Sequence, residues 1–110
     1  MSAVTTHVLD TAAGRPAEGV PVRLERLDAA FTTLAEGVTD TDGRIGELGP
    51  DRLAPGPYRI IFDTGTYFAA TEQTGFFPEV SIAFTIVDGG EHHHVPLLLS
   101  PYAYSTYRGS

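Results

Sequence analysis

Four histidines carry most of the chemistry that this sequence can offer. An imidazole titrates at a pKa of about 6.5, so it can accept and return a proton near neutral pH. His7 is near the start of the chain, and the other three form the run His92-His93-His94. Side chains alternate along a strand, which puts His92 and His94 on one face and His93 on the other. His7 belongs to a separate predicted strand, so only the fold can bring it beside His94.

The end of the chain adds a cation, a hydroxyl and a carboxylate. Chain ends usually fray, but the pattern here predicts a strand to within a few residues of Ser110, so we expect the terminus to line a site. Two neutral imidazoles, an arginine and a serine can together carry out general acid–base hydrolysis. The guanidinium would supply fixed positive charge to a carbonyl oxygen that becomes an oxyanion. Such chemistry requires no thiol, lysine or metal ion.

Each of these residues also has a more ordinary interpretation. A single strand histidine such as His7 is commonly a surface or hydrogen-bonded side chain, and Arg44 and Arg108 are commonly solvated charges. The spacing of His92 and His94 is familiar from zinc and copper sites, so a metal site is an alternative. The sequence offers no obvious third ligand nearby.

The composition excludes several classes of function. The formal net charge is −7 and the sequence pI is about 4.8, without a basic stripe, so nucleic acids and anionic membranes are not expected partners. All seven cations are arginine, which rules out Schiff-base chemistry by a lysine. Cysteine is absent, which rules out disulfides and thiolate nucleophiles and fits a reducing cytosol. There is no signal-peptide pattern, and no apolar run approaches the ~18 residues needed to cross a bilayer.

Short alternating segments separated by glycine, proline and aspartate predict seven or eight strands and one short helix, in a single domain over residues 1–110. This pattern is typical of an all-β sandwich or barrel. The predicted helix covers residues 64–73, with Thr64 as its cap and Gly75 as its end. Pro21 cannot donate a ladder hydrogen bond, so its side of the strand is predicted to be an edge or a bulge. The predicted strands are residues 4–10, 20–25, 31–38, 58–63, 80–86, 92–99 and 103–108.

Four blocks of sequence, in order, resemble the signatures of the 5-hydroxyisourate hydrolases, a transthyretin-related family. The resemblance implies hydrolysis of 5-hydroxyisourate, the unstable product of urate oxidation, to 2-oxo-4-hydroxy-4-carboxy-5-ureidoimidazoline, by opening the six-membered ring at an amide bond. It implies a cytoplasmic enzyme of purine breakdown that uses no cofactor and no metal. The blocks are residues 6–11 (THVLDT) with 14–17 (GRPA), 39–44 (TDTDGR), 76–79 (FFPE) and 92–110 (HHHVPLLLSPYAYSTYRGS).

The resemblance also implies a fold, an assembly and a set of site residues. The implied fold is the transthyretin-like sandwich of two four-stranded sheets with one short helix. The implied assembly is a homotetramer with active-site clefts at the interface between dimers. The histidines would activate water, the arginine would orient the ring, and the serine would polarise substrate or water; which histidine is the base stays open. By motif match the catalytic residues are His7, Arg44, His94 and Ser110, and the substrate-binding residues are Tyr107, Arg108 and Gly109.

One departure and one alternative accompany this resemblance. The family usually has His-Tyr-His where this chain has His92-His93-His94. His93 should face away from His94, so we expect the chemistry to be unaffected. Transthyretin itself shares the fold and carries small hydrophobic ligands, which makes a non-catalytic carrier the alternative. The histidine pair and the Arg-Gly-Ser ending favour the hydrolase.

Overall fold

The computed structural model describes residues 2–110, and its regular elements are mostly β-strands. Within this range there are nine strands and one helix, so the all-β prediction is confirmed. β-Branched and aromatic residues at alternating positions favour these extended segments. In chain order the elements are β1 (Val4–Asp10), β2 (Arg15–Pro16), β3 (Pro21–Leu27), β4 (Phe31–Val38), β5 (Arg44–Ile45), β6 (Gly56–Phe62), α1 (Thr64–Ala70), β7 (Val80–Ile86), β8 (His93–Ser100) and β9 (Ala103–Thr106).

The strands form two sheets that pack face to face. One sheet has the order β2-β1-β8-β9, with β5 also paired to β1, and the other has the order β4-β3-β6-β7. β1 and β8 run parallel, and the other pairs of named strands in residues 2–110 are antiparallel. The predicted sandwich of two sheets is therefore confirmed. The first sheet has five strands instead of four, because the two-residue strands β2 and β5 share the edge of β1 that β8 leaves open.

The core lies between the sheets and is built from the inward-facing half of each strand. Val4, Val8 and Leu97 from the first sheet and Leu24 and Ile60 from the second are completely buried. Burying one such side chain contributes roughly 1.5–3 kcal/mol, so a continuous apolar centre holds the sandwich together. The same alternation turns the intervening residues of β1 and β8 to the outer face of the first sheet.

Pro21 lies in an interior strand, so the prediction of an edge there was wrong. β3 lies between β4 and β6, and Pro21 is its first residue. Proline is tolerated at the first position of a strand, and its carbonyl still accepts a hydrogen bond from the Asp63 N–H at 2.8 Å. The irregularity of β3 falls instead between Leu24 and Glu25, where the pairing with β4 shifts register.

The helix is present, but its limits differ from the prediction. Asp63, not Thr64, is the N-cap, and its carboxylate accepts a hydrogen bond from a backbone N–H of the first turn at 3.1 Å. The helix ends well before Gly75. A glycine is needed at 75 for a different reason, since a Cβ there would lie 2.2 Å from the ring of Phe68. No helix formed by residues 2–110 is long and apolar enough to cross a membrane.

A buried carboxylate ties α1 to β1. Asp10 is 1% exposed and accepts hydrogen bonds from the Tyr67 hydroxyl at 2.6 Å, the Gln73 amide at 3.1 Å and the Ala13 N–H at 2.8 Å. Burial raises the pKa of Asp10, but these hydrogen bonds outweigh it and hold the pKa below the ordinary value of 3.8. Burial and the bond to Asp10 raise the pKa of Tyr67 to about 12. The pair is therefore a neutral phenol and a carboxylate near neutral pH.

Tyr67→Phe is expected to lower the free energy of unfolding at pH 7 by about 1–3 kcal/mol, because the buried carboxylate loses a hydrogen-bond donor. A carboxyl whose pKa is lower in the folded state than in the unfolded state stabilises the protein at pH values above its unfolded-state pKa. This stabilisation is lost as the pH falls through the folded-state pKa. The variant should therefore lose less stability than the parent on acidification below about pH 4. Urea unfolding at pH 7 and pH 3 measures both effects. The exposed Tyr102→Phe is the control, and equal stability of Tyr67→Phe and the parent at pH 7 would contradict the prediction.

Candidate active site

The strands that carry the histidines lie side by side. β1 pairs with β8 so that Thr5 is opposite His94 and His7 is opposite Pro96. β5 pairs with the other edge of β1, where Arg44 is directly opposite His7. Opposite residues of an antiparallel pair have Cβ atoms about 4.5–5.5 Å apart, so Arg44 and His7 are neighbours. The register therefore gathers both predicted histidines and the predicted arginine on the outer face of the first sheet.

A tight turn before β5 fixes the position of Arg44. The Asp40 carboxylate accepts hydrogen bonds from the N–H groups of Asp42 at 2.8 Å and Arg44 at 3.0 Å. The hydrogen bond from the backbone N–H of Arg44 is the main reason why the pKa of Asp40 is below its ordinary value. Gly43 has a φ of 75°, and its carbonyl accepts the Val8 N–H at 2.7 Å. A Cβ at this position would lie 2.3 Å from the Val8 carbonyl oxygen, so the Asp-Gly turn is what allows β5 to reach β1.

A cavity of about 240 Å³ opens on this outer face. Its wall contains Arg44, His94 and Ser110, which are three of the four residues predicted to be catalytic. His7 does not line it but stands next to this wall, opposite Arg44. Thr5, Thr6 and His92 are the other polar side chains of the wall. Residues from both ends of the chain and from its middle therefore meet at one place.

His94 has the environment of a neutral imidazole. Its Nδ1 atom lies 2.8 Å from the Thr5 hydroxyl. Burial lowers the pKa of His94 below the ordinary value of 6.5, and the charges of Arg44, His7 and His92 lower it further. At pH 7 the ring is therefore unprotonated at one nitrogen and can accept a proton from water.

The last residues of the chain fold back onto His94. The Gly109 N–H donates to the His94 carbonyl at 2.8 Å, which forms an isolated antiparallel bridge beyond the end of β9. A Cβ on Gly109 would lie 2.5 Å from Cδ2 of His94 and 3.3 Å from Cγ of Pro96. Glycine is thus the residue that lets the tail lie flat against the imidazole and bring Ser110 to the cavity.

Tyr107 and Arg108 do not line this cavity. They border a second cavity of about 240 Å³, which has mostly apolar walls that include Phe84 and which shares His94 with the first. Arg108 forms an exposed ion pair with Glu91. The structure therefore places the C-terminal tetrapeptide on two sides of His94, with Ser110 on one side and Tyr107 and Arg108 on the other.

His93 points away from the candidate site, as the alternation predicted. It is 6% exposed and packs against Phe84 of the opposite sheet, with ring centroids 6.4 Å apart. Its Nδ1 atom is buried without a hydrogen-bond partner among the described residues. The departure from the usual tyrosine at this position therefore changes the packing between the sheets and not the outer face.

Thr5 and Asp40 were not predicted to belong to the site, and His92 was considered only as a metal ligand. Thr5 is two residues before His7, so strand alternation could have placed both on one face, but nothing local indicates that His94 lies opposite. Within residues 2–110 no group of three or more His, Asp or Glu side chains is placed to hold a metal ion. His92 and His94 instead share the Thr5 hydroxyl.

Known proteins resemble this chain in both sequence and fold. The model of the HIUase/Transthyretin family matches residues 4–109. A 5-hydroxyisourate hydrolase of Salmonella dublin is 52% identical over 109 residues, which cover 97% of this chain and 80% of that protein. The structure of Klebsiella pneumoniae 5-hydroxyisourate hydrolase superposes with a TM-score of 0.88 at 41% identity, covering 100% of this chain and 94% of the other. Sea bream transthyretin in complex with thyroxine superposes with a TM-score of 0.91 at 32% identity, covering 96% and 93%.

Proposed function

This chain belongs to the HIUase/transthyretin family, and on that premise we propose that it hydrolyses 5-hydroxyisourate to 2-oxo-4-hydroxy-4-carboxy-5-ureidoimidazoline in urate degradation. The observation that carries the proposal is the single cavity that contains Arg44, His94 and Ser110, with His7 next to it. A lone histidine or arginine on a strand would support no reaction. An imidazole of lowered pKa beside a guanidinium and a hydroxyl supports the hydrolysis of a cyclic amide.

In the proposed reaction each residue has a separate task. His94 takes a proton from water, because its ring is neutral at pH 7 and lies on the cavity wall. Arg44 orients the planar substrate and stabilises the oxyanion that forms when water adds to the carbonyl carbon. Ser110 polarises the substrate or the water, and His7, opposite Arg44, is the second imidazole that the family resemblance assigns to the activation of water. The reaction uses side chains and water, in keeping with the residues available.

The remaining tail residues are proposed to bind substrate from the other side of His94. Gly109 packs directly on that imidazole, and Tyr107 and Arg108 border the adjoining apolar cavity. This assignment makes the tail a wall between the two cavities. We place the activity in the cytoplasm, in keeping with a chain whose fold uses no disulfide.

The proposed assembly is a homotetramer with its clefts at the interface between dimers. β4, β7 and β9 are edge strands of the two sheets, and an edge strand presents unpaired backbone groups that another chain can cover. Light scattering of the parent protein is expected to give a mass of about four times 11.8 kDa, independent of concentration in the micromolar range. A stable monomer with full activity would contradict a cleft shared between subunits.

A coupled assay tests the proposed activity. Urate oxidase generates 5-hydroxyisourate in situ, and the decay of its ultraviolet absorbance is followed with and without this protein, in the presence of EDTA. Accelerated decay, proportional to the protein concentration, is the expected result. Decay at the spontaneous rate would contradict the proposal and would favour a carrier of small hydrophobic ligands, which binding measurements would then test.

A further inference from the structure

One threonine hydroxyl joins two histidines at the wall of the candidate site. Oγ1 of Thr5 lies 2.8 Å from Nδ1 of His94 and 3.0 Å from Nε2 of His92. Both distances are in the ordinary range for hydrogen bonds, and Thr5 is only 7% exposed. His92 is exposed. The three side chains therefore form a continuous hydrogen-bonded chain from the cavity wall to solvent.

The hydroxyl has one proton, which links the protonation of the two rings. It can donate to only one of the two nitrogens and must accept from the other. If His94 donates from Nδ1, Thr5 donates to His92, and both neutral rings carry their proton on Nδ1. If His94 accepts at Nδ1, His92 donates from Nε2, and both neutral rings carry their proton on Nε2. The geometry thus permits two matched tautomer states and excludes a mixed one.

We propose that Thr5 and His92 form a proton relay for His94. The relay rests on the hydrolase function proposed above and adds two residues to its machinery. His94 is the catalytic residue that contacts water. Thr5 and His92 act through His94, Thr5 by positioning and conducting the proton and His92 by storing it.

The relay balances in atoms and protons. Nε2 of His94 takes a proton from water while the water oxygen bonds to the substrate carbonyl carbon. His94 passes its Nδ1 proton to Thr5, and Thr5 passes its own proton to Nε2 of His92, which becomes an imidazolium. When the C–N bond breaks, its electron pair stays on the nitrogen, which takes the Nε2 proton of His94. The transfers along the relay then run in reverse, so the net result is one proton moved from water to the leaving nitrogen.

The charges around His94 give a reason to move the proton away from it. Arg44 faces His94 from β5, His7 from β1, His92 from the same strand end, and Ser110 from the tail. Burial and the charges of Arg44, His7 and His92 disfavour an imidazolium at His94. His92, which receives the proton, is exposed, so water surrounds its ring. His94 therefore stays neutral throughout the cycle.

Thr5→Val tests the relay with little change of shape, because valine keeps the β-branched outline and lacks the hydroxyl. We expect kcat to fall on the order of 10²-fold, the size of one general acid–base contribution, with a much smaller change in KM. Thr5→Ser restores the hydroxyl and should recover most of kcat. The matched control is Thr64→Val, which deletes another buried hydroxyl, bonded to the Phe77 carbonyl at 2.6 Å, and should keep the parental kcat. A parental kcat in Thr5→Val would overturn the relay.

His92→Gln separates proton storage from simple hydrogen bonding. A glutamine amide can still donate to Thr5, but it cannot take up a proton. The relay predicts that this variant is about as slow as Thr5→Val and that the double variant is no slower than either single one. A His92→Gln variant with parental kcat would mean that His92 only holds Thr5 in place, and it would overturn the relay.

Nitrogen NMR of the imidazoles tests the relay without measuring turnover. In the parent protein we expect both His92 and His94 as Nδ1–H tautomers, because the base form of His94 leaves Nε2 free. In Thr5→Val the link is removed and the rings need not match. Mismatched tautomers in an active parent would overturn the relay and leave the proposed function standing. An inactive parent would overturn the proposed function itself, so the two failures are distinguishable.

Discussion

His94→Ala is expected to lower kcat on the order of 10²-fold or more, the largest effect of any single side chain in the proposed site. The imidazole lies on the cavity wall with Arg44 and Ser110, and Thr5 holds its Nδ1 atom at 2.8 Å. Alanine removes the group that takes the proton from water and leaves the other residues in place. Steady-state hydrolysis of 5-hydroxyisourate measures the loss, and circular dichroism checks that the sheets remain intact. Near-parental turnover would remove His94 from the mechanism.

The neighbouring histidine provides a matched control for this experiment. His93 is the adjacent residue on the same strand, but it packs against Phe84 between the sheets and does not reach the outer face. His93→Tyr should therefore keep a kcat close to that of the parent. Replacing a histidine of β8 would then lower the rate only when its side chain lies on the outer face of the sheet.

The pH dependence of kcat/KM provides a second test of His94. A lowered pKa keeps the imidazole in its neutral, proton-accepting form to a pH below 6.5, the ordinary pKa of histidine. Activity should therefore be maintained as the pH falls from 8 to 6.5 and should decline only below that range. A decline centred above pH 6.5 would mean that the titrating base is not His94 in this environment.

Part of this site could be predicted because it depends on a local property of strands. The period of two puts His92 and His94 on one face and His93 on the other, and any strand over these residues has this arrangement. The Asp-Gly turn before Arg44 is likewise local, because Gly43 readily adopts the left-handed conformation, with a φ of 75°, that the turn has. Segment boundaries set by glycine and proline predicted the strands well enough for a sandwich or a barrel to be inferred, and the family resemblance implied the sandwich.

The remainder depends on which strands pair, and no local pattern contains that information. Thr5 and His94 are 89 positions apart in the chain and meet only because β1 and β8 run parallel in one register. A shift of one residue in the pairing register of β1 would turn the Thr5 hydroxyl into the core. Pro21 was assigned to an edge or a bulge for the same reason, because the sequence indicates that a donor is missing but not which strands lie on either side.

The tail illustrates the limit most clearly. A strand was predicted to run through Arg108, but β9 ends at Thr106. The chain then leaves the ladder and returns at Gly109, which bridges to His94. This departure puts Tyr107 and Arg108 at the second cavity and Ser110 at the first. The family resemblance implied one site for the tetrapeptide, whereas the backbone divides it between two sides of one imidazole.

Gly109→Ala is expected to lower kcat on the order of 10²-fold although it removes no functional group. The added Cβ would lie 2.5 Å from Cδ2 of His94, about 1 Å closer than an ordinary van der Waals contact. Because the Gly109 N–H is bonded to the His94 carbonyl, the tail cannot move without breaking that bridge, and the imidazole must shift or rotate instead. A displacement of about 1 Å in a catalytic group can cost 10²-fold in rate. The same shift would break the contact between His94 and Thr5.

Gly46→Ala is the matched control for this prediction, because Gly46 also lines the cavity but a Cβ there meets no atom within 4 Å. The same one-carbon addition should therefore cost far less activity at 46 than at 109.

Thermal unfolding should change little in Gly109→Ala, since the tail lies outside the core, so a loss of rate would reflect the position of the imidazole and not the stability of the sandwich. Imidazole NMR can verify this directly, because the His94 tautomer should lose its match to His92 when the contact with Thr5 is broken. Equal kcat values for Gly109→Ala and Gly46→Ala would mean that the tail does not position His94. Gly109 would then matter only for the conformation of the backbone.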